Sequence, residues 1–320
     1  MSLFRKYTVL TFLVLFAFSV SSRSDWFDNR FSSSGYGSGG GEYLKLPIHA
    51  RTAGLATATV AWRDQLSGLQ FNPAILDVTD SITIIATKSF LTLDRSHNGF
   101  DIASGVGEYL VAGLSFSQFG IGGIEGRDEF GVVTESFSAG FNTLSVAIAG
   151  RLNIPISLGL RGRYLFESIE NEHSNGMGFD LGATWQPIKQ LTIGASAQNI
   201  GSYIWWSTNA RDQVLMTGRF GICTSLFDNA LRLEFDGIKT LAQPEEAAVG
   251  VEYTFAHIIS GYGGIRTSVS RYYHAIMQAE YTFGTGMRFD FLGFDYALIV
   301  PPSELGIIHK ISIIGKIPGF

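Results

Sequence analysis

The sequence predicts an all-β protein: a transmembrane antiparallel β-barrel of about fourteen strands, with a small N-terminal hatch containing a short helix. Three observations predict it. Charged residues make up 16% of the 320 residues, against roughly 25% in a typical soluble domain, and aromatics reach 13%. No run attains the roughly 18 apolar residues of a membrane-spanning helix, although mean hydropathy is positive. From Ser81 onward, apolar and polar residues alternate over windows of about 10–13 residues. Such lengths cross a bilayer at a tilt, whereas soluble strands are nearer 5–6.

The N-terminus predicts export. Arg5 and Lys6 precede an apolar stretch, Tyr7–Val20, and the small residues Ser19, Ser21 and Ser22 offer a cleavage site. This is the pattern of a secretory signal peptide over residues 1–22, and with the strands it predicts residence in a bacterial outer membrane. Loss of Arg5 and Lys6 would take the net charge from −5 to about −7, with no electrostatic footprint for nucleic acid. A Gly/Ser-rich linker follows over 23–46.

Residues 47–80 read as the hatch. Ala50–Trp62 is rich in small residues. In "RDQLSGLQFNPAIL", Arg63–Leu76, Asp64 can cap a helical turn whose face carries Leu66 and Leu69. Asn72 can cap a second turn with Pro73 at its first position. The barrel then occupies 81–320. Fourteen windows read as strands: 81–93, 98–105, 109–121, 136–152, 156–168, 176–186, 191–199, 214–226, 231–240, 245–255, 258–266, 273–283, 287–298 and 306–317. Short turns such as Gln186–Gln190 and Phe227–Ala230 suit one rim. Longer stretches at Gly122–Val133, Ser168–Asn175 and Gly201–Gln213 suit the other.

Successive strand side chains point to opposite faces, so each window has an apolar side and a polar side. Leu231, Leu233 and Phe235 would meet lipid while Arg232, Glu234 and Asp236 face the lumen. The same reasoning turns Arg161, Arg163, Glu167, Asp180, Arg219, Glu252, Arg266, Glu280, Arg288 and Asp290 inward. Both signs are present. That argues for a paired ladder gripping a plug rather than for an ion-selective pore, which favours one sign. A barrel of this size encloses more space than its side chains fill. Arg63–Leu76 is the available occupant.

Other chemistries lack a motif. Cys223 is the single cysteine, so no intramolecular disulfide can form. The six histidines never fall at metal-ligand spacing. Gly120–Gly126 places Glu125 where a dinucleotide fingerprint needs its last glycine, and it lies between strands. Trp205 and Trp206 fit an interfacial aromatic belt or an apolar lip. No nucleophile–base pair stands out, so neither an enzyme nor a cofactor is expected.

His49–Leu76 resembles the N-terminal segment of FadL-type barrels and of the PorV/PorQ family. Ala50, Arg51 and Gly54 match its start. Asp64 matches one position of an acidic pair, while Gln65 departs from the other. Phe71, Asn72, Pro73, Ala74 and Leu76 match its aromatic-Asn-Pro-Ala turn, with Ile75 in place of the usual Gly. Asp180–Gly201 resembles the central hairpin of these proteins, and Asp295–Ile313 the C-terminal one. Lys310 replaces a usual Arg, and Pro318 and Gly319 separate Phe320 from the last strand. The resemblance implies an outer-membrane barrel with a hatch. It implies a PorV/PorQ-type role in secretion, with secretion-system proteins or exported cargo as partners. The alternative it implies is a FadL-like channel with a hydrophobic small-molecule ligand. Outer-membrane lipid is a partner under either.

Overall fold

The computed structural model describes residues 39–63, 66–76, 81–152, 154–269, 279–302 and 306–318. The predicted leader, the linker up to residue 38, and Asp64 lie outside the described residues.

Among the described residues the strands are β1 (Ser81–Phe90), β2 (Arg95–Val106), β3 (Leu110–Arg127), β4 (Val133–Arg151), β5 (Ile156–Ile169), β6 (Glu172–Ile188), β7 (Leu191–Trp206), β8 (Arg211–Gln213), β9 (Thr217–Leu226), β10 (Leu231–Thr240), β11 (Glu245–Phe255), β12 (Ile259–Ser268), β13 (Glu280–Arg288), β14 (Leu292–Val300) and β15 (Ile308–Pro318). Each pairs antiparallel with its neighbours. β1 closes on β15, from Ser81 opposite Pro318 to Phe90 opposite His309. β7 gives the first half of one edge to β9 and the second half to the short β8. Fourteen strands therefore form a closed wall, with β8 as a spur on it.

Alternation sets the polarity of that wall. On β5, Leu158, Leu160 and Tyr164 are exposed while Arg161, Arg163 and Glu167 are buried. On β10, Phe235 is 52% exposed and Asp236 is 0% exposed. Charges inside and apolar side chains outside suit a wall surrounded by lipid. The short turns at 186–190 and 227–230 lie on the rim where β1 begins and β15 ends. The longer stretches lie on the opposite rim, where β3 and β4 extend for 18 and 19 residues.

Several expected boundaries move. Gly201–Gln213 is not a loop: β7 continues through Trp206 and pairs with β8. Two positive-φ residues, Asn199 (60°) and Gly201 (61°), let β7 absorb extra residues as bulges and keep its pairing with β6. The strand windows 273–283 and 287–298 shift to Glu280–Arg288 and Leu292–Val300; residues 270–278 lie outside the described residues. The turn between them falls on Phe289–Phe291. Asp290 is therefore an exposed turn residue and not a lumen charge. Alternation alone misleads here, because rim aromatics flanking a turn Asp copy the pattern of a strand.

Candidate functional site

The lumen holds residues 39–63 and 66–76. At the long-loop rim, Gly40 bridges to Val214 and donates its N–H to the Gln213 carbonyl (3.0 Å). Glu42–Lys45 forms a 3-10 turn, so the inner segment begins at least as early as Gly39 rather than at 47. α1 (Ala50–Gly54) packs against β13 and β14. The chain reaches the short-turn rim at Arg63, which donates to Gln186 (3.0 Å). It returns through two 3-10 turns, Leu66–Gly68 and Pro73–Ile75.

The helix expected over Arg63–Leu76 is thus two single turns, and the one α-helix among the described residues lies earlier. The wall accounts for the difference. Arg161 donates to the carbonyls of Leu69 (3.1 Å) and Gln70 (2.6 Å), Gln198 donates to Gln70 (2.7 Å), and Ser196 donates to Phe71 (2.7 Å). Carbonyls satisfied by the barrel need no helical partner. Asn72 stands at the start of the second turn. Its Oδ1 accepts the Ala74 N–H (3.0 Å), and its Nδ2 donates to Val60 (2.6 Å) and Ala183 (3.3 Å) carbonyls. Pro73 and Ala74 sit against Gly159, where any Cβ would collide with their backbone. Phe71 lies under the Arg219 guanidinium (4.1 Å), and Leu76 joins Leu66 and Leu69 in an apolar cluster with Val111 and Ala147.

Acidic wall residues hold the descending limb of the hatch. Asp236 accepts the N–H groups of Thr59 (3.0 Å) and Val60 (3.2 Å), and Glu234 accepts that of Ala61 (2.6 Å). Arg51 pairs with Glu252. Burial alone would lower the Arg51 pKa, but Glu252 and Asp295 offset it, so the net shift is upward and the guanidinium stays charged. Arg161 and Arg163 share Asp180 (2.5 and 2.6 Å), and Arg266 pairs with Glu280 (3.3 Å). Arg288 pairs with Asp295 (2.6 Å). Arg232 faces Trp62 (5.7 Å), and Glu167 accepts from Ser174 (3.2 Å).

Sequence reasoning missed a second set of fastenings. His49 contacts Thr87 through Nδ1 (2.7 Å) and Asp101 through Nε2 (2.9 Å). Thr87 contacts Ser312 (2.6 Å), which accepts the Ala50 N–H (2.9 Å). This joins α1 to β1, β2 and β15. Lys310 donates to Ser89 (2.7 Å) beside His97 (3.2 Å). Asp101, Lys310 and Ser312 fall in the inward phase of their strands, so the alternation carried that signal. His49 lies on no periodic element.

Among the described residues, the spaces between hatch and wall are small. One cavity of about 50 Å³ lies between the hatch and the wall near Arg163, Arg219 and Arg266. Another of about 10 Å³ is lined by Tyr43, His97, Ser117 and Thr143. A single water needs at least about 10–15 Å³, and small-molecule pockets span about 300–1,000 Å³. Spaces of this size are too small for a passing solute.

A model described as a family of unknown function (DUF5723) matches residues 139–249. A search of curated proteins finds no match. Solved structures share the fold, among them the following three. The CymD monoaromatic hydrocarbon channel aligns with a TM-score of 0.65 at 12% identity, covering 85% of this chain and 98% of that one. A deltaS2S3 mutant of the TodX monoaromatic hydrocarbon channel aligns at 0.56 and 11% identity, covering 84% and 98%. A Pseudomonas aeruginosa FadL homologue aligns at 0.55 and 11% identity, covering 85% and 98%. The resemblance drawn from the sequence is met on its FadL-like side, and these likenesses are of fold: a closed FadL-like barrel.

Proposed function

We propose that this protein is an outer-membrane channel for small hydrophobic molecules, kept closed to ions by its N-terminal hatch. The observation that carries this reading is the filled lumen. Residues 39–63 and 66–76 are pinned to the wall by buried charges, and the two cavities between them and the wall among the described residues are small. A general porin needs an open aqueous path. A barrel that is plugged but polar-lined suits solutes admitted one at a time through rearrangement of the plug. The likeness of fold to hydrocarbon channels supports the same reading. The PorV/PorQ-type secretion role rests on sequence resemblance, with no structural observation favouring it.

The test is uptake of a radiolabelled alkylbenzene by cells lacking their own hydrophobic-compound channel. Expression of this protein should raise the initial rate well above an empty-vector control. No gain, with folded barrel present in the outer membrane, overturns the proposal.

A further inference from the structure

The two small cavities adjoin the Tyr43–Leu44 turn. Leu44 and Arg163 line both, and Tyr43 lines the smaller. The Tyr43 ring lies on Phe141, with centroids 5.2 Å apart. Phe141 lies 6.1 Å from Phe119, which meets His97 edge-on at 6.0 Å. An aromatic row therefore runs along the inner face of β2, β3 and β4, and its last member belongs to the hatch. The Tyr43 hydroxyl is buried near Thr143 and Glu167 without a hydrogen bond of normal geometry. The slot takes a phenol, but the tether holds that phenol imperfectly.

The turn carrying Tyr43 is built to move. No residue of Glu42–Lys45 is fully buried. Lys45 bonds Glu42 within the turn (2.7 Å), and the turn is fastened by Lys45 to Gln243, Gln243 to Glu42 (2.7 Å), Gln70 to the Leu44 carbonyl (2.9 Å), and Leu44 resting on Leu165, Ile204 and Val214. Gly39, Gly40 and Gly41 precede it, and Gly41 sits at φ 73°, where a side chain would strain. Pro47 follows and stiffens the far end. A short rigid flap beside a glycine run is the construction of a hinged lid.

We propose that the Glu42–Lys45 turn is a lid over a binding site for a phenol-sized aromatic ligand, and that Tyr43 fills this site when the lid is shut. The inference rests on the channel reading above and names its ligand class. The Tyr43 side chain is p-cresol on a tether, so the slot beside Phe141 already accepts a ring with a hydroxyl. Moving Tyr43 and Leu44 aside joins both cavities to the space those side chains vacate. A free ligand competes with the tethered ring at an effective concentration of about millimolar. Affinity in the intact protein is correspondingly weak.

The test is a ¹⁹F NMR titration of 4-fluorophenol into the full-length barrel in detergent micelles. Tyr43→Ala should bind roughly tenfold tighter than wild type or better, because the internal competitor is gone. Adding Phe141→Ala to that variant should abolish the gain and so correct for partition into micelles. In a Cys223→Ala background, Lys45→Cys with Gln243→Cys joined by a short reducible bis-thiosulfonate should lose binding and regain it on reduction. Equal binding by the locked and reduced forms overturns the proposal, as does a Tyr43→Ala barrel that binds no tighter. Should Tyr43→Ala fail to fold, the cross-link decides alone. If the locked barrel still raises alkylbenzene uptake, the lid falls and the channel stands. Lid-dependent binding without uptake in wild type overturns the channel reading instead.

Discussion

Arg161 and Asp180 stand directly opposite each other on β5 and β6, and their buried ion pair (2.5 Å) aims the guanidinium at the hatch. The same fork donates to the carbonyls of Leu69 and Gln70. A charge pair of the wall thereby fixes the position of a segment with little regular structure of its own. Replacing Arg161 by Met should leave Asp180 with Arg163 and the Asn199 N–H, the Gln70 carbonyl with Gln198, and the Leu69 carbonyl without its wall donor. Breaking one side of a buried pair costs about 3–5 kcal/mol. The loss should appear as faster amide hydrogen exchange over 66–76 with the barrel still heat-modifiable on gels. Arg161→Lys should rescue little, because a point charge cannot serve carboxylate and carbonyls together. Unchanged exchange over 66–76 would count against this role.

Gly194 makes a second test of the hatch seat. A Cβ there would meet the Val60 carbonyl group and Ala61 Cα, the latter at 2.7 Å. Backbone cannot yield as a flexible side chain does, so Gly194→Ala should push the descending hatch segment off Asp236. Overpacking of this kind costs about 1–3 kcal/mol. Single-channel recording should show flickering conductance absent from wild type. Gly261, which has nothing within reach of an added Cβ, serves as the control and should tolerate Ala.

The wall was legible because one rule governs it. A strand between lipid and a polar lumen must alternate, so Arg161, Asp180, Arg219 and Asp236 could be placed by phase. Asp290 shows the limit: the phase persists through a tight turn, and alternation does not mark where pairing stops. The hatch obeys no such rule. Its backbone is satisfied by distant wall residues, and contacts such as His49 to Asp101 or Tyr43 to Phe141 join positions 52 and 98 apart in sequence. Asn72-Pro73 was readable because a cap and an N1 proline act locally.

Leu233 lies on the outward phase of β10, between inward Arg232 and Glu234. Leu233→Arg should destabilise the barrel by about 2–4 kcal/mol if the position is near the bilayer midplane. Urea unfolding in lipid vesicles reads the difference. In intact membranes, a Cys at 233 should resist a water-soluble maleimide. Rapid labelling would show that this face meets water.

Docking of Tyr43 should depend on alkaline pH. Burial, then the nearby Glu167 carboxylate, pushes the phenol pKa above its ordinary value. The docked form favours the neutral phenol. Docking is therefore fully favoured below about pH 10, the ordinary tyrosine value, and weakens as pH rises past it. Exchange of amides 39–46 should quicken above that pH in wild type. Tyr43→Phe keeps the ring and removes the proton, so its exchange should follow only the intrinsic base-catalysed trend. Identical profiles would remove Tyr43 as the cause.

Deletion of residues 47–76 tests whether the hatch is the plug. The wall strands pair with one another from β1 to β15, so their hydrogen bonds do not need the inner chain. The deletion does strand buried charges: Asp236 and Glu234 lose their amide donors, and Glu252 loses Arg51. Water entering the emptied lumen can solvate them, which offsets much of that cost. The barrel should therefore still fold, with lower thermal stability. Its conductance in planar bilayers should rise from a closed baseline to steady open-channel steps. Asn72→Ala is the milder probe, costing about 1 kcal/mol at the Ala74 cap. It should give brief openings rather than steps. If the deletion folds and conducts no better than wild type, residues 39–46 and the loops must close the lumen unaided, and the plug reading of 47–76 fails.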